Sequence, residues 1–486
     1  MNNKDFLDAL QVLAFDTSSS AAGLLFTKKD YKNIPFNERL LLQKARYLKA
    51  SAVYFRRFEG KNNSIPQIFI YDNSSNRLDE NDLADIHKKI WSGGIVPLYY
   101  VFDKTQLKVF DSRKPVQYSR NKIFVKPIDE ISIVSKAHQE YIKYSAEFFR
   151  NGTFWEQDEN RKHFLANYSA NNKLIEGLRK IRESFKTDGK LQSITNKLLV
   201  LSILVKYLEE RKDEQGNHVF PQGHLLRHYG VDSFCEVIRK GKLIKLFNDL
   251  SRHFNGKIFE LTKQEKQDAG KLDLKMLADF LDANIEKQQY VLWRLYAFDY
   301  LPVELISRIY EEFIPQRRDV VYTPIHLVNF MVDECMPIEE PKTDFKVIDV
   351  SCGSGIFLVS VFKRLVQWWQ KQGFDKKGIV PTPDIDTLKS ILKDSVYGVD
   401  IEPEAVQLSI FSLSIALCDM LDPVQIWEEL QFEDLSENNI IEDNFFNYLR
   451  TAPNDNFDLV IGNPPFNEYG TDEFNELLSD YKVEIT

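Results

Sequence analysis

The residues Asn463-Pro464-Pro465-Phe466 close the stretch FDLVIGNPPF and carry groups suited to one reaction. An exocyclic amine on an aromatic ring is a poor nucleophile, because its lone pair is delocalised into the ring. The side-chain carbonyl of Asn463 and the backbone carbonyl of Pro464 give its two N–H groups acceptors. Together they favour a pyramidal nitrogen whose lone pair points at a methyl donor. Proline fixes φ, so the second carbonyl is held in place before the reaction. Phe466 offers a ring on which a base can stack, and a base reaches such a pocket only after leaving the duplex. A plain proline turn after a strand is the alternative reading of the same residues.

Two constellations upstream have the spacing of a nucleotide site. In VIDVSCGSG (residues 347–355) a strand runs through Asp349 into Ser351, Cys352, Gly353 and Gly355, and a helix follows. Glycines let backbone approach a ligand closely, and the helix start offers unpaired N–H groups. The third glycine of a dinucleotide fingerprint is missing. In GVDIEP a second strand ends at Asp400, where a carboxylate can accept hydrogen bonds from ribose hydroxyls. Asp400 lies 400 − 355 = 45 residues past the last glycine, and the insertion KQGFDKKGIVPTPDIDT accounts for the excess over the usual spacing. A helix N-terminal carboxylate, supplied by Asp400 or Glu402, is the alternative.

The elements that must position these residues alternate between strand and helix over 321–486. Near-continuous apolar strands separated by helices predict a doubly wound parallel α/β sheet. Ligands of such sheets bind outside the carboxyl ends of the strands, so the glycine turn, Asp400 and the Asn463 tetrad are expected to converge. Residues 131–320 read as a helical connector, with apolar residues at helical spacing in NNKLIEGLRKIRESF and a longer, more buried helix in ITNKLLVLSILVKYLEERK. QYVLWRLYAFDYLPVELISRIYEEFI predicts two more helices. Residues 1–130 read as a small α+β domain, with strands in SAVYFRRF and PQIFIYD, a hairpin in VPLYYVFDKTQLKVFDS, and a helix stopped by Gly93-Gly94. Glu59-Gly60-Lys61 has the residue types of a nuclease metal site, but EGKNNS also reads as a turn with no partner Asp on a preceding strand.

Composition bounds the partners. A chain of 486 residues with 43% hydrophobic and 13% aromatic content can build several cores. The net charge of −9 excludes a uniformly basic nucleic-acid binder while leaving room for a local basic groove. The four cysteines are scattered without CxxC spacing, so no zinc site, metal centre or disulfide frame is signalled. The start MNNKDFLDAL lacks the pattern of a signal peptide. No apolar run is expected to reach membrane-spanning length. These features predict a cytoplasmic protein with no membrane partner.

VIDVSCGSGIF, GVDIEPEAV and FDLVIGNPPF resemble motifs I, II and IV of the S-adenosylmethionine-dependent adenine-N6 DNA methyltransferases. VVYTPIHLVNFMVDECM, ahead of them, resembles motif X, which gives the motif order of the gamma class. The helical stretch resembles the connector of fused Type IIG restriction–modification enzymes. The resemblance covers about residues 170–470 and is most specific over 321–466. It implies that Thr323, Asp349, Ser351, Cys352, Gly353, Gly355 and Asp400 line an S-adenosylmethionine site, and that Asn463, Pro464, Pro465 and Phe466 are catalytic. LSENNIIEDNF resembles motif III and sets Asp443 near the methionine or adenine moiety, with Glu442 or Asp434 as alternative alignments. Double-stranded DNA is the implied substrate, within a restriction–modification system. In fused relatives the N-terminal region is a nuclease; here residues 1–130 leave room for such a scaffold but carry no convincing nuclease motif. The family continues past motif IV with further strands and a target-recognition domain. Here NEYGTDEFNELLSDYKVEIT follows, so a methyltransferase domain that is incomplete at its C-terminus is expected, completed by a specificity or C-terminal partner subunit. An RNA or protein-amide N-methyltransferase and a non-catalytic cofactor-binding subunit are the rival readings.

Overall fold

The computed structural model describes residues 4–58, 64–104, 106–119, 122–132, 142–163, 174–176, 179–180, 182–183, 189–213, 215–254, 257–282, 296–300, 302, 305, 323–451 and 456–464. Glu59-Gly60-Lys61, Pro465, Phe466 and most of the predicted helices over 289–314 lie outside these residues. The chain divides into two compact units, Met1–Leu178 with Asp279–Pro302, and Arg179–Ala278 with Val303–Thr486.

The first unit is built on a six-stranded mixed sheet. Its elements are α1 (Lys4–Val12), β1 (Leu24–Phe26), α2 (Phe36–Tyr47), β2 (Ala52–Arg57), β3 (Ser64–Asp72), α3 (Glu80–Gly93), β4 (Leu98–Phe102) and β5 (Gln106–Asp111). A small hairpin, β6 (Gln117–Ser119) and β7 (Lys122–Phe124), and strand β8 (Asp129–Ser132) follow. The strand order is β1-β2-β3-β4-β5-β8, with β3 and β4 parallel and every other pair antiparallel. The parallel pair needs a crossover, and α3 supplies it. Asp79 and Asp82 form a capping box at the start of α3, and Gly94 ends it at φ 57°. Side chains alternate across the sheet. Ile68 and Ile70 join Phe6 and Leu10 of α1 in one core, while Phe69 and Tyr71 join Leu42 of α2 and Ile86 of α3 in the other.

The second unit begins with a helical array around α4 (Gly189–Glu210). Leu198, Leu199, Leu201, Ile203, Leu204, Val205 and Leu208 are all buried, so α4 is apolar all round and lies inside the protein. By length and composition Leu191–Glu210 is apolar enough to cross a membrane, contrary to the expectation that no run approaches that length. Its window is 72% buried, as in a core helix. Shorter helices follow, among them Leu243–His253, where Leu243, Leu246, Phe247 and Leu250 form a buried stripe at helical spacing.

The same unit then builds a parallel sheet from α5 (Ile325–Cys335), β9 (Val347–Asp349), α6 (Ile356–Lys377), α7 (Ile385–Ser395), β10 (Val396–Asp400), α8 (Pro403–Asp419), α9 (Pro423–Glu428), β11 (Ile440–Glu442), α10 (Phe445–Thr451) and β12 (Leu459–Val460). The order is β11-β10-β9-β12, and every pair is parallel. The mixed sheet of the first unit and this parallel sheet make an α/β architecture with a helical array before the parallel sheet. Arg211, just past α4, donates to the carbonyls of Asp419 and Leu421 at 2.9 and 2.8 Å, and so caps the end of α8. His253 bonds the Trp427 carbonyl at 2.8 Å, with the two rings stacked 3.9 Å apart.

Candidate active site

In chain order the four parallel strands run third, second, first, fourth. The order reverses between β9 and β12, and such reversals open a crevice at the carboxyl edge of a sheet. What stands at the ends of those strands therefore decides the chemistry.

Strand β9 delivers Asp349, buried to 1% exposure. Ser351 N–H donates to its Oδ1 at 3.1 Å. Among the described residues no cation pairs with it. Burial drives its carboxyl up from 3.8 to about 7; the Ser351 N–H opposes this, and the like charge of Asp400 adds to it. The turn beyond Asp349 runs through Gly353 at φ 53° and Gly355 at φ 79°, left-handed positions that suit glycine. Cys352 N–H donates to the Val399 carbonyl at 3.0 Å and ties the turn to β10. Its buried thiol is pushed well up, first by desolvation and then by Asp349. The hydroxyls of Ser351 and Ser354 are buried and have no partner among the described residues.

Strand β10 ends at Asp400, half-buried. One carboxylate oxygen accepts from Gly353 N–H at 2.9 Å and the other from Glu402 N–H at 3.0 Å. Asp400 thus faces the glycine turn and also receives a bond at the head of α8. Strand β11 pairs with β10 so that Glu442 lies opposite Asp400. Asp443 N–H donates to the Asp400 carbonyl at 3.1 Å, and its own carboxylate accepts from Asn444 N–H at 2.7 Å. Asp434 lies outside the strand and bonds Ser436 of its own turn.

Strand β12 meets β9 through Ile461 N–H, which donates to the Ile348 carbonyl at 3.0 Å. The next residue, Gly462, faces Asp349. A Cβ there would lie 2.3 Å from the Asp349 carboxylate, so no other residue fits without displacing it. Asn463 follows half-buried and Pro464 exposed. Thr323 is half-buried just ahead of α5, and among the described residues no hydrogen bond joins it to the turn.

The arrangement brings Asp349, Cys352, Gly353, Asp400 and Asp443 together at one sheet edge, with Gly462 leading into Asn463. Sequence reasoning did not single out Gly462, Ser354 or Ser409. For Gly462 the one available signal is a glycine placed directly between an apolar strand and Asn463. Ser409, which bonds the Gly353 carbonyl from α8, has no local signal. The donor set suits a cationic nucleoside ligand such as S-adenosylmethionine. It combines two carboxylates, two unpartnered hydroxyls and a glycine above which a Cβ would meet nothing within 4 Å.

The four parallel strands, with the glycine turn at their carboxyl ends, make a parallel α/β sheet edge. Residues 394–484 match the family described as Eco57I restriction-modification methylase. A stretch of 100 residues is 35% identical to the adenine-specific methyltransferase PglX of Streptomyces coelicolor, covering 20% of this chain and 8% of that protein. Among solved structures, a DrdV–DNA complex is 13% identical over 98% of this chain and 44% of its own, with a TM-score of 0.35. The type IIG restriction endonuclease BpuSI is 14% identical over 93% of this chain and 48% of its own, with a TM-score of 0.29. A modification subunit of a putative type I restriction enzyme from Vibrio vulnificus is 15% identical over 63% of each chain, with a TM-score of 0.34. This chain thus spans less than half the length of DrdV and BpuSI, and its match spans a small part of PglX. Residues 394–484 are similar to restriction–modification methylases, and a stretch of 100 residues is similar to an adenine-specific methyltransferase.

Proposed function

We propose that this chain carries the cofactor site and the catalytic tetrad of a DNA methyltransferase acting on adenine N6 within a restriction–modification system, with S-adenosylmethionine as cofactor. The observation that carries the reading is the buried Asp349, without a counter-cation among the described residues, beside the glycine turn and against Gly462 at the exit of β12. A carboxylate buried in this way suits a cationic ligand. In this reading the ionised Asp349 and the Ser351 and Ser354 hydroxyls hold the polar end of the cofactor. Asp400 accepts from its ribose hydroxyls, and the Gly353 turn lets the ligand lie against backbone. Bound S-adenosylmethionine supplies an electrophilic methyl group. The Asn463 side chain and the Pro464 carbonyl accept the two N–H bonds of the adenine amine, while Phe466 stacks on the flipped base. Double-stranded DNA is the proposed substrate, and a specificity or C-terminal subunit the proposed partner.

Tritiated cofactor tests this on double-stranded DNA, RNA and protein in parallel, using the chain alone and in complex with such a subunit. Label is expected in DNA adenine. Asn463→Ala should lower kcat about 10²–10³-fold, as loss of one preorganised polar group does, with cofactor affinity within about twofold. Label in RNA or protein alone would overturn the substrate, and normal turnover of Asn463→Ala would remove the catalytic role.

A further inference from the structure

Helix α8 contains three buried serines, Ser409, Ser412 and Ser414, in an otherwise apolar run. Ser412 donates to the Leu408 carbonyl and Ser414 to the Ile410 carbonyl, each at 2.8 Å and each within the helix. That is the usual use of a hydroxyl inside an apolar helix. Ser409 differs. Its Oγ leaves the helix and donates to the Gly353 carbonyl at 2.8 Å. The N–H of the same residue, Gly353, donates to Asp400 at 2.9 Å. Gly353 at φ 53° thus has both backbone polar groups engaged by side chains from outside the turn. The turn also closes onto Ser409 sterically, since a Cβ on Gly355 would lie 3.0 Å from the Cα and Oγ of Ser409. The far end of α8 is fixed in turn by Arg211, which donates to the Asp419 and Leu421 carbonyls.

We infer that Ser409 is a positioning residue for the cofactor: its hydroxyl locks the Gly353 peptide, so that S-adenosylmethionine meets a preformed turn. The inference rests on the reading of this turn as the cofactor site. A glycine has the widest backbone freedom of any residue. Without the lock, that freedom must be lost at the moment of binding, which weakens affinity. Ser409 itself is fully buried, with its Oγ also 3.5 Å from Cys352 Sγ, so it acts through the turn.

The test compares Ser409→Ala, Ser409→Cys and Ser412→Ala by calorimetry with S-adenosylmethionine and by hydrogen exchange at the Gly353 amide. Ser409→Ala should raise the cofactor Kd roughly tenfold, the scale of one lost neutral hydrogen bond plus the ordering of a glycine. Exchange of the Gly353 amide in the ligand-free chain should quicken. Ser409→Cys keeps a weaker donor on a somewhat larger atom, so it should lose affinity by an intermediate factor, and it carries the test if the alanine variant does not fold. Ser412→Ala is the control: equal burial and loss of the hydroxyl bond to the Leu408 carbonyl within the helix, with affinity and Gly353 exchange unchanged. Equal affinity loss in Ser412→Ala and Ser409→Ala, or wild-type affinity in both Ser409 variants, overturns the inference while leaving the site reading intact. A wild-type chain that does not bind S-adenosylmethionine overturns the site reading, and this inference with it.

Discussion

Each unit of the chain buries a carboxylate completely, and the two are treated in opposite ways. In the first unit Glu38 of α2, fully buried, receives Arg57 Nε at 2.7 Å and Nη2 at 2.6 Å. A third nitrogen of Arg57 donates to the Ser20 carbonyl at 2.7 Å, which fixes the guanidinium over Glu38. In the second unit Asp349 has one backbone donor and, as its charged neighbour, another acid, Asp400. The cost of burying a charge is met for Glu38 by a bidentate partner. For Asp349 no cation among the described residues meets it. The first pattern holds a fold together; the second is the one that the proposed function reads as a place for a ligand. His87 of α3 follows the first pattern. Its ring nitrogens bond the Tyr99 hydroxyl and the Lys114 carbonyl at 3.0 and 2.7 Å, and burial lowers it to about 4. A histidine closed in this way is structural.

The largest effect is expected where the closed pair is opened. Arg57→Met leaves Glu38 buried without its cation, a change that costs about 3–5 kcal/mol. Urea unfolding should show the first unit weakened by that order, while cofactor affinity of the folded chain stays the same. The double variant Arg57→Met, Glu38→Leu should recover most of the loss. Should Arg57→Met alone leave stability unchanged, Glu38 is not held as the geometry says, and the contrast with Asp349 loses its basis.

The open carboxylate is probed from its neighbour. Gly462→Ala puts a methyl group 2.3 Å from the Asp349 oxygen, and the carboxylate must move. Overpacking of this kind costs about 1–3 kcal/mol, so cofactor affinity should fall about 10–100-fold by calorimetry. Gly353→Ala is the comparison. A Cβ there meets nothing within 4 Å, and the cost is confined to the left-handed φ of 53°. Its effect should be severalfold smaller. Equal effects from the two variants would mean that backbone strain, not contact with Asp349, decides affinity.

The parts of the site readable in sequence are those set by local order. VIDVSCGSG and GVDIEP announce strands by their apolar runs and strand ends by glycine and aspartate, and the sheet forms from those strands as β9 and β10. Helix α3 was readable from its acidic start and Gly94. What was not readable depends on partners distant in sequence. Gly462 is required because Asp349 lies beside it, a fact of strand order. The role of Ser409 depends on a bond to Gly353, and nothing in its own helix distinguishes it from Ser412. The pairing of Glu38 with Arg57 joins a helix to a strand edge that no periodicity links. In β3 the apolar pattern and Pro66 suggested a strand beginning at PQIFIYD, whereas pairing with β2 extends it back to Ser64. Helix α4 reads in sequence as a buried helix, as it is; only its apolar length is understated, since an all-round apolar surface suits a buried helix as readily as a membrane span.

The finest prediction concerns protons. The Asp349 carboxyl stands at about 7 in the folded chain against 3.8 ordinarily. Its folded value is the higher one, so the proton stabilises the ligand-free fold. That contribution is full below pH 3.8 and is lost as pH rises through about 7. A cationic cofactor reverses the preference, because it interacts favourably with the ionised form. Binding must then release a proton wherever Asp349 starts protonated. Cofactor affinity should therefore weaken as pH falls from about 7.5 to 5.5, by at most about tenfold per pH unit below the titration point. Calorimetry in buffers of different ionisation enthalpy should detect up to one proton released near pH 6 and far less near pH 8. Asp349→Asn should flatten both the affinity profile and the corresponding slope of ligand-free stability with pH. A flat wild-type profile over that range would erase the difference between the two buried carboxylates, and with it the reason to read Asp349 as held in readiness for a cation.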